Sequence, residues 1–207
     1  MATLTVYSNT ADGYLRSQSS VYLTARSGAN LTVGTDSSIV ISGQLRLTGS
    51  NYCYESFLFF DTSPIGTGTV TSATLSLYAK TDQSDVDFTT YARARDWGAT
   101  LTTGDWVAGA SLSALTLLAS ASSAGISTSA YTAFSSESAF TSNVSTSGNT
   151  LVILTSARHE SGDPPPTGAE YVTWHSAEEA SNRRPKLVVE YTPLVSHPYY
   201  YAMNYLY

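Results

Sequence analysis

The segment 56–80, SFLFFDTSPIGTGTVTSATLSLYAK, constrains the fold more than any other part of the chain. An apolar run, Phe57, Leu58, Phe59 and Phe60, stops at Asp61, Ser63 and Pro64, and Gly66 and Gly68 turn the chain before a second strand begins. There Ala73, Leu75, Leu77 and Ala79 alternate with Ser72, Thr74, Ser76 and Tyr78. A period of two is the mark of a strand with one buried face. The small alanines at both ends of the inward row let a second layer pack closely, so these residues predict a β-sandwich.

Further strands are expected at 3–7, 21–24, 30–33, 38–41, 44–48, 54–60, 69–79, 86–95, 112–119, 150–155, 170–175 and 186–191. Threonine and tyrosine suit pleated surfaces, while the helix formers Glu, Lys, Gln and Met are scarce. The expectation is an all-β, antiparallel two-sheet β-sandwich of jelly-roll type over residues 1–192, with a short C-terminal extension at 193–207. One helix is expected, capped by Ser135, with Phe140 and Val144 on one face. Residues 120–129, and 161–168 with Pro164, Pro165 and Pro166, read as loops.

Only 13% of the residues are charged, and the formal charge of −6 leaves ten basic residues scattered along the chain. Nucleic acid is excluded as a partner, because phosphate binding needs a concentrated basic face. Cys53 is the one cysteine, so there is neither an internal disulfide nor a thiolate metal cluster. No run reaches membrane-spanning length, which argues against a membrane partner, and residues 1–7 lack the basic-then-apolar pattern of a secretory leader. The protein is expected to be made in a cytoplasm.

Chemistry is sparse. His159, His175 and His197 have no metal-ligand spacing, and His159 and Glu160, read as neighbours on a strand, point to opposite faces. Nucleophile-elbow and phosphate-loop motifs are missing. No enzymatic activity and no cofactor are expected. Asp82, Asp85 and Asp87 offer hard oxygen ligands to calcium if Asp85 and Asp87 share a strand face; a solvated turn explains them equally. Trp97 and Trp106 are expected to pack over the open end of the sandwich; the alternative is a glycan contact by Trp97, Asp105 and Trp106, an aromatic ring beside a carboxylate. Trp174, alternating with Val172, reads as core.

The order LTVG at 31–34, FLFFDTSPIGTGTVTSATLSLY at 57–78, the pair Trp97 and Trp106, and RPKLVVEY at 184–191 resembles a DNRLRE-type jelly-roll domain. Such domains are similar to carbohydrate-binding modules and to parts of tailed-phage structural proteins, and the segments at 104–134 and 156–178 look more like the phage branch. The resemblance implies a β-sandwich, and its phage-like segments point toward a virion protein.

The last residues supply a separate clue. Tyr199, Tyr200, Tyr201, Met203, Tyr205, Leu206 and Tyr207 form an uncharged aromatic tail, whereas free tails are usually charged and poor in aromatics. The tail is expected to dock on another subunit, with folding back onto its own sandwich as the alternative. Together these readings predict a non-enzymatic phage virion structural protein, a head decoration or tail surface protein, forming homo-oligomers and contacting other virion proteins. The alternative is a carbohydrate-binding module or receptor-binding adhesin that contacts host-surface glycan.

Overall fold

The computed structural model of the protein describes residues 1–34, 39–98, 100–179 and 182–194. Its strands are β1 (Ala2–Tyr7), β2 (Gly13–Ser19), β3 (Thr32–Gly34), β4 (Ile39–Leu47), β5 (Ser50–Asp61), β6 (Thr69–Ser84), β7 (Thr89–Ala94), β8 (Leu117–Ser122), β9 (Tyr131–Ala133), β10 (Ser135–Ser136), β11 (Asn149–Ser156), β12 (Ala169–His175) and β13 (Lys186–Thr192). Four short helices interrupt them: α1 (Tyr22–Arg26), α2 (Gly109–Leu112), α3 (Ala139–Asn143) and α4 (Ala157–Ser161). Every strand pairing is antiparallel, as the alternating sequence predicts.

The strands form a large curled antiparallel ladder, consistent with the expected β-sandwich, in the order β1, β13, β6, β12, β4, β5, β11, β7, β8, β10. The ladder closes on itself, because β9 pairs with Ser76, Leu77 and Tyr78 of β6 while β10, one residue further on, pairs with Ala119 and Ser120 of β8. Phe134, between them, donates its N–H to the Leu75 carbonyl at 2.9 Å and drives its ring into the core, 5.9 Å from Trp174. That core holds the residues the alternation placed inside: Leu58, Phe60, Ala73, Leu75, Leu77, Ala79 and Trp174 are all buried in one cluster.

A fork in the ladder organises the rest. β4 pairs with β5 from Leu47 opposite Ser50 to Gly43 opposite Tyr54, then leaves it, and β11 pairs with β5 from Ser56 onward. Gly43 has φ +124, and a Cβ there would lie 2.2 Å from the Glu170 carbonyl oxygen, so only glycine fits the bend. At the split, buried Ser56 closes the gap: its hydroxyl accepts from the Ile41 N–H at 2.7 Å and donates to the Ile41 carbonyl at 2.6 Å. Beyond the fork Val40 and Ser42 turn inward. Ser42 accepts from Trp174 Nε1 at 3.0 Å and bonds Thr90 at 2.9 Å.

Several expectations are corrected. The run at 21–24 is the start of α1, where Tyr22 and Ala25, three apart, bury one helical face. The run at 112–119 divides between α2 and β8, and 38–41 with 44–48 belongs largely to the single bent β4. Ser135 lies in β10, and α3 begins after Ser138, while β8 reaches Ser122 inside the segment read as a loop. Residues 195–207, including the whole tyrosine tail, lie outside the described residues.

Replacing Ser56 by alanine removes both bonds to Ile41 and leaves buried backbone groups unpaired, at a cost of about 1–3 kcal/mol. Urea unfolding of S56A should show this loss; a midpoint equal to that of the wild type would mean that the hydroxyl does not hold the fork.

Candidate functional site

The strand register lays a row of side chains across five strands on one face: Gln83 opposite Tyr171, Tyr171 opposite Gly43, Gly43 opposite Tyr54, and Tyr54 opposite Arg16. Ala169, Leu45, Tyr52 and Gln18 form the next row on the same face. On β5 the parity that buries Leu58 and Phe60 thus presents Tyr52 and Tyr54 at the other end of the strand, where β4 runs alongside. Tyr14, two residues before Arg16, completes the patch, its ring lying over Gly34, where a Cβ would be 2.5 Å from the ring carbons.

The rings touch in sequence. Tyr14 and Tyr54 have centroids 6.3 Å apart at 62°, and Tyr54 and Tyr171 are 6.1 Å apart at 47°. Arg16 places its guanidinium 5.6 Å from the centre of the Tyr52 ring, and its buried Nε has no hydrogen-bond partner. Tyr54 is 7% exposed while Tyr14, Tyr52 and Tyr171 are half-buried, so the first anchors the other three. Burial pushes the Tyr54 phenol well above its ordinary range, against the pull of Arg16, and the hydroxyl stays protonated. Flat amphipathic rings with hydroxyls at the rim, a guanidinium and exposed Gln83 offer both stacking area and hydrogen bonds.

The tryptophans singled out in the sequence sit elsewhere. Trp97 is 5% exposed, its ring held edge-on between Phe57 at 5.7 Å and Phe59 at 6.2 Å in a second cluster with Leu15, Leu101, Leu112 and Ile153. It has no face free to meet a sugar. Asp105 is committed to its own turn, accepting from the Thr102 N–H at 2.8 Å and hydroxyl at 2.9 Å. Half-buried Trp106 packs against Tyr22, Ala25 and Cys53 and stands 5.3 Å from the His159 ring.

The aspartates are placed differently as well. Asp85 and Asp87 lie in the connection between β6 and β7 and do not share a strand face. Asp82 accepts from the Ser84 N–H at 3.0 Å, Asp85 from the Ala169 N–H at 3.3 Å and Asp87 from the Ser123 hydroxyl at 3.1 Å. Among the described residues no group of three or more His, Cys, Asp or Glu side chains is arranged to hold a metal ion. No helix among them is long and apolar enough to cross a membrane.

Beneath the loop layer lies a buried polar belt. His159, expected on a strand, belongs to α4, where Ser156 accepts its N–H at 3.1 Å. Its Nε2 lies 3.4 Å from the Arg26 carbonyl, and its Nδ1, without a partner, faces Glu55 Oε1 at 3.9 Å. Burial lowers the imidazole to about 4 and raises the Glu55 carboxyl well above its usual range, so both are neutral. Glu160 meanwhile grips Arg93 through two 2.6 Å bonds. Burial also lifts the Cys53 thiol to about 12 and Asp12 to about 7.

The His159 imidazole stays neutral in the folded chain down to about pH 4, whereas the unfolded chain takes up a proton near 6.5. Its contribution is therefore full above 6.5 and is lost as pH falls toward 4, a loss on the order of 3 kcal/mol. Asp12 works in the opposite sense, its contribution being lost as pH rises from 3.8 through about 7, so the measurement must be a difference. The stability gap between wild type and H159Q, from urea unfolding at stepped pH, should narrow by that amount between pH 7 and 4. A constant gap would show that His159 is not held neutral.

The tyrosine patch was missed because the first of its strands, GYLRSQS, is polar enough to read as loop. The signal was nonetheless present as Tyr-x-Arg at Tyr14 and Arg16 and Tyr-x-Tyr at Tyr52 and Tyr54. No curated protein matches the chain. A sequence profile of carbohydrate-binding module family 96 does match, over residues 7–191, which takes in the strands from β2 to β12, most of β13 and the tyrosine row. The chain belongs to carbohydrate-binding module family 96.

Proposed function

We propose that the protein binds a carbohydrate polymer without cleaving it, on the face that carries Tyr14, Arg16, Tyr52, Tyr54, Tyr171 and Gln83. The observation that carries this reading is the row of contacting rings across adjacent strands in a chain of a carbohydrate-binding family. Five strands at about 4.8 Å spacing span about 19 Å, the length of a few sugar rings. Tyrosine suits such a surface, because it gives broad contact area with few rotors to freeze and its rim hydroxyl remains wet.

The row carries guanidinium, amide and phenol groups and no carboxylate, whereas hydrolysis of a glycosidic bond ordinarily needs two carboxyl groups flanking it. This supports binding over catalysis. The family match likewise supports the glycan-binding alternative of the sequence reading over the virion-structural one.

Affinity electrophoresis against a panel of soluble polysaccharides, followed by calorimetry with any that retards the protein, tests the reading. Y171A and Y14A should each bind at least tenfold more weakly than wild type, while Y7A, altered on β1 outside the row, should bind as wild type does. Retardation by no polysaccharide, or full affinity in Y171A, would overturn it.

A further inference from the structure

A concave site lies on the opposite face of β5 from the tyrosine row. Tyr54 and Phe59 differ in parity and stand five residues apart, about 17 Å along the strand, so one sugar ring cannot touch both the tyrosine row and this place. Here Phe59, Arg95, Asp96, Asn143, Asn149 and Leu151 line an open cleft of about 480 Å³, within the range of small-molecule sites.

The floor and the rim differ in chemistry. Phe59 and Leu151, neighbours across β5 and β11, make an apolar base, and Phe59 is stiffened from below by the Trp97 ring. Around the rim stand a guanidinium, a carboxylate and two amides. Arg95 is half-buried, its Nε lying without a hydrogen-bond partner behind the cleft wall and its charge acting on buried Glu55. Asp96 turns Oδ1 to the Gly98 N–H at 3.1 Å, and Asn143 commits its Nδ2 to the Ala139 carbonyl at 2.8 Å. Asn149 is exposed at the mouth.

We propose that this cleft is a second binding site, which takes the terminal one or two rings of a neutral glycan. The proposal rests on the carbohydrate-binding reading of the chain but not on the tyrosine row. An anionic ligand meets Asp96 and a cationic one meets Arg95, whereas a neutral diol accepts from the guanidinium and donates to the carboxylate at once, its ring lying on Phe59 and Leu151. A pocket closed at its base accepts a chain end, while the open row accepts chain length. The protein then holds one polymer at two points, or joins two chains.

Titration of ¹⁵N-labelled protein with the neutral disaccharides cellobiose, maltose, mannobiose and xylobiose tests this, read from the Asn143 and Asn149 side-chain amides and the Gly98 backbone amide. At least one sugar should shift all three signals. R95L should weaken that response at least tenfold; should R95L not fold, N149A, a change at an exposed position, should weaken the Asn143 and Gly98 responses to the same extent. Y171A should leave the response unchanged. If every disaccharide moves only tyrosine-row signals, the cleft proposal falls while the proposed function stands. If glycine, a zwitterion that could bridge Arg95 and Asp96, shifts the three signals and the sugars do not, the cleft is an amino-acid site and the proposal is overturned. If polymer binding survives Y171A but fails in R95L, the tyrosine-row reading falls and the cleft stands.

Discussion

The split between β4 and β5 is the constraint on which this fold depends. A strand that pairs with one neighbour along only half of its length must leave backbone groups unpaired at the fork, inside the protein. Such groups are costly when buried. Ser56 satisfies both the donor and the acceptor of Ile41, and Gly43 supplies a bend that no other residue could adopt beside the Glu170 carbonyl. Once the strand has left, Val40 and Ser42 close over the core, and the side chains at the base of the fork face outward. The same bend that completes the hydrophobic interior therefore creates the surface on which the tyrosines stand.

The opposite face of β5 is secured by polar groups as well as apolar packing. Gln44 donates to Glu170 at 2.8 Å and accepts from the Tyr22 hydroxyl at 2.6 Å, and Arg158 pairs with Glu170 at 3.1 Å. These bonds tie α1 and α4 to the ladder. Buried ion pairs add little net stability on average, yet each partner strands the other if removed, so they fix geometry. Beside them the second apolar cluster, with Trp97 wedged between Phe57 and Phe59, keeps the cleft floor rigid.

Much of the architecture was legible from local alternation. The inward row of β6 was read correctly from Ala73 to Ala79 because one face is apolar throughout; its extension to Ser84 was not, since Thr81, Asp82 and Gln83 are polar on both faces. The short apolar run at Val21 is equally consistent with a strand and a helix, and its outcome was decided by what Tyr22 and Ala25 pack against. The candidate site was harder to read. The loop tryptophans suit packing or a sugar contact from sequence alone; here Trp97 fills the interior while tyrosines occupy the surface. Which tyrosines converge depends on register across five strands, and register follows from the fork, which no local pattern announces.

The pairing of β1 with β13 sets how this module meets mechanical load. Ala2 stands opposite Tyr191, so the outer ends of the two strands emerge side by side. Tension applied between those ends is borne by one rung at a time, and the ladder unzips from Ala2 toward Tyr7 rather than resisting in shear. Neither β1 nor β13 contributes to the tyrosine row, whose strands are β2, β4, β5, β6 and β12. Peeling of β1 thus leaves the strands of the tyrosine row paired with one another.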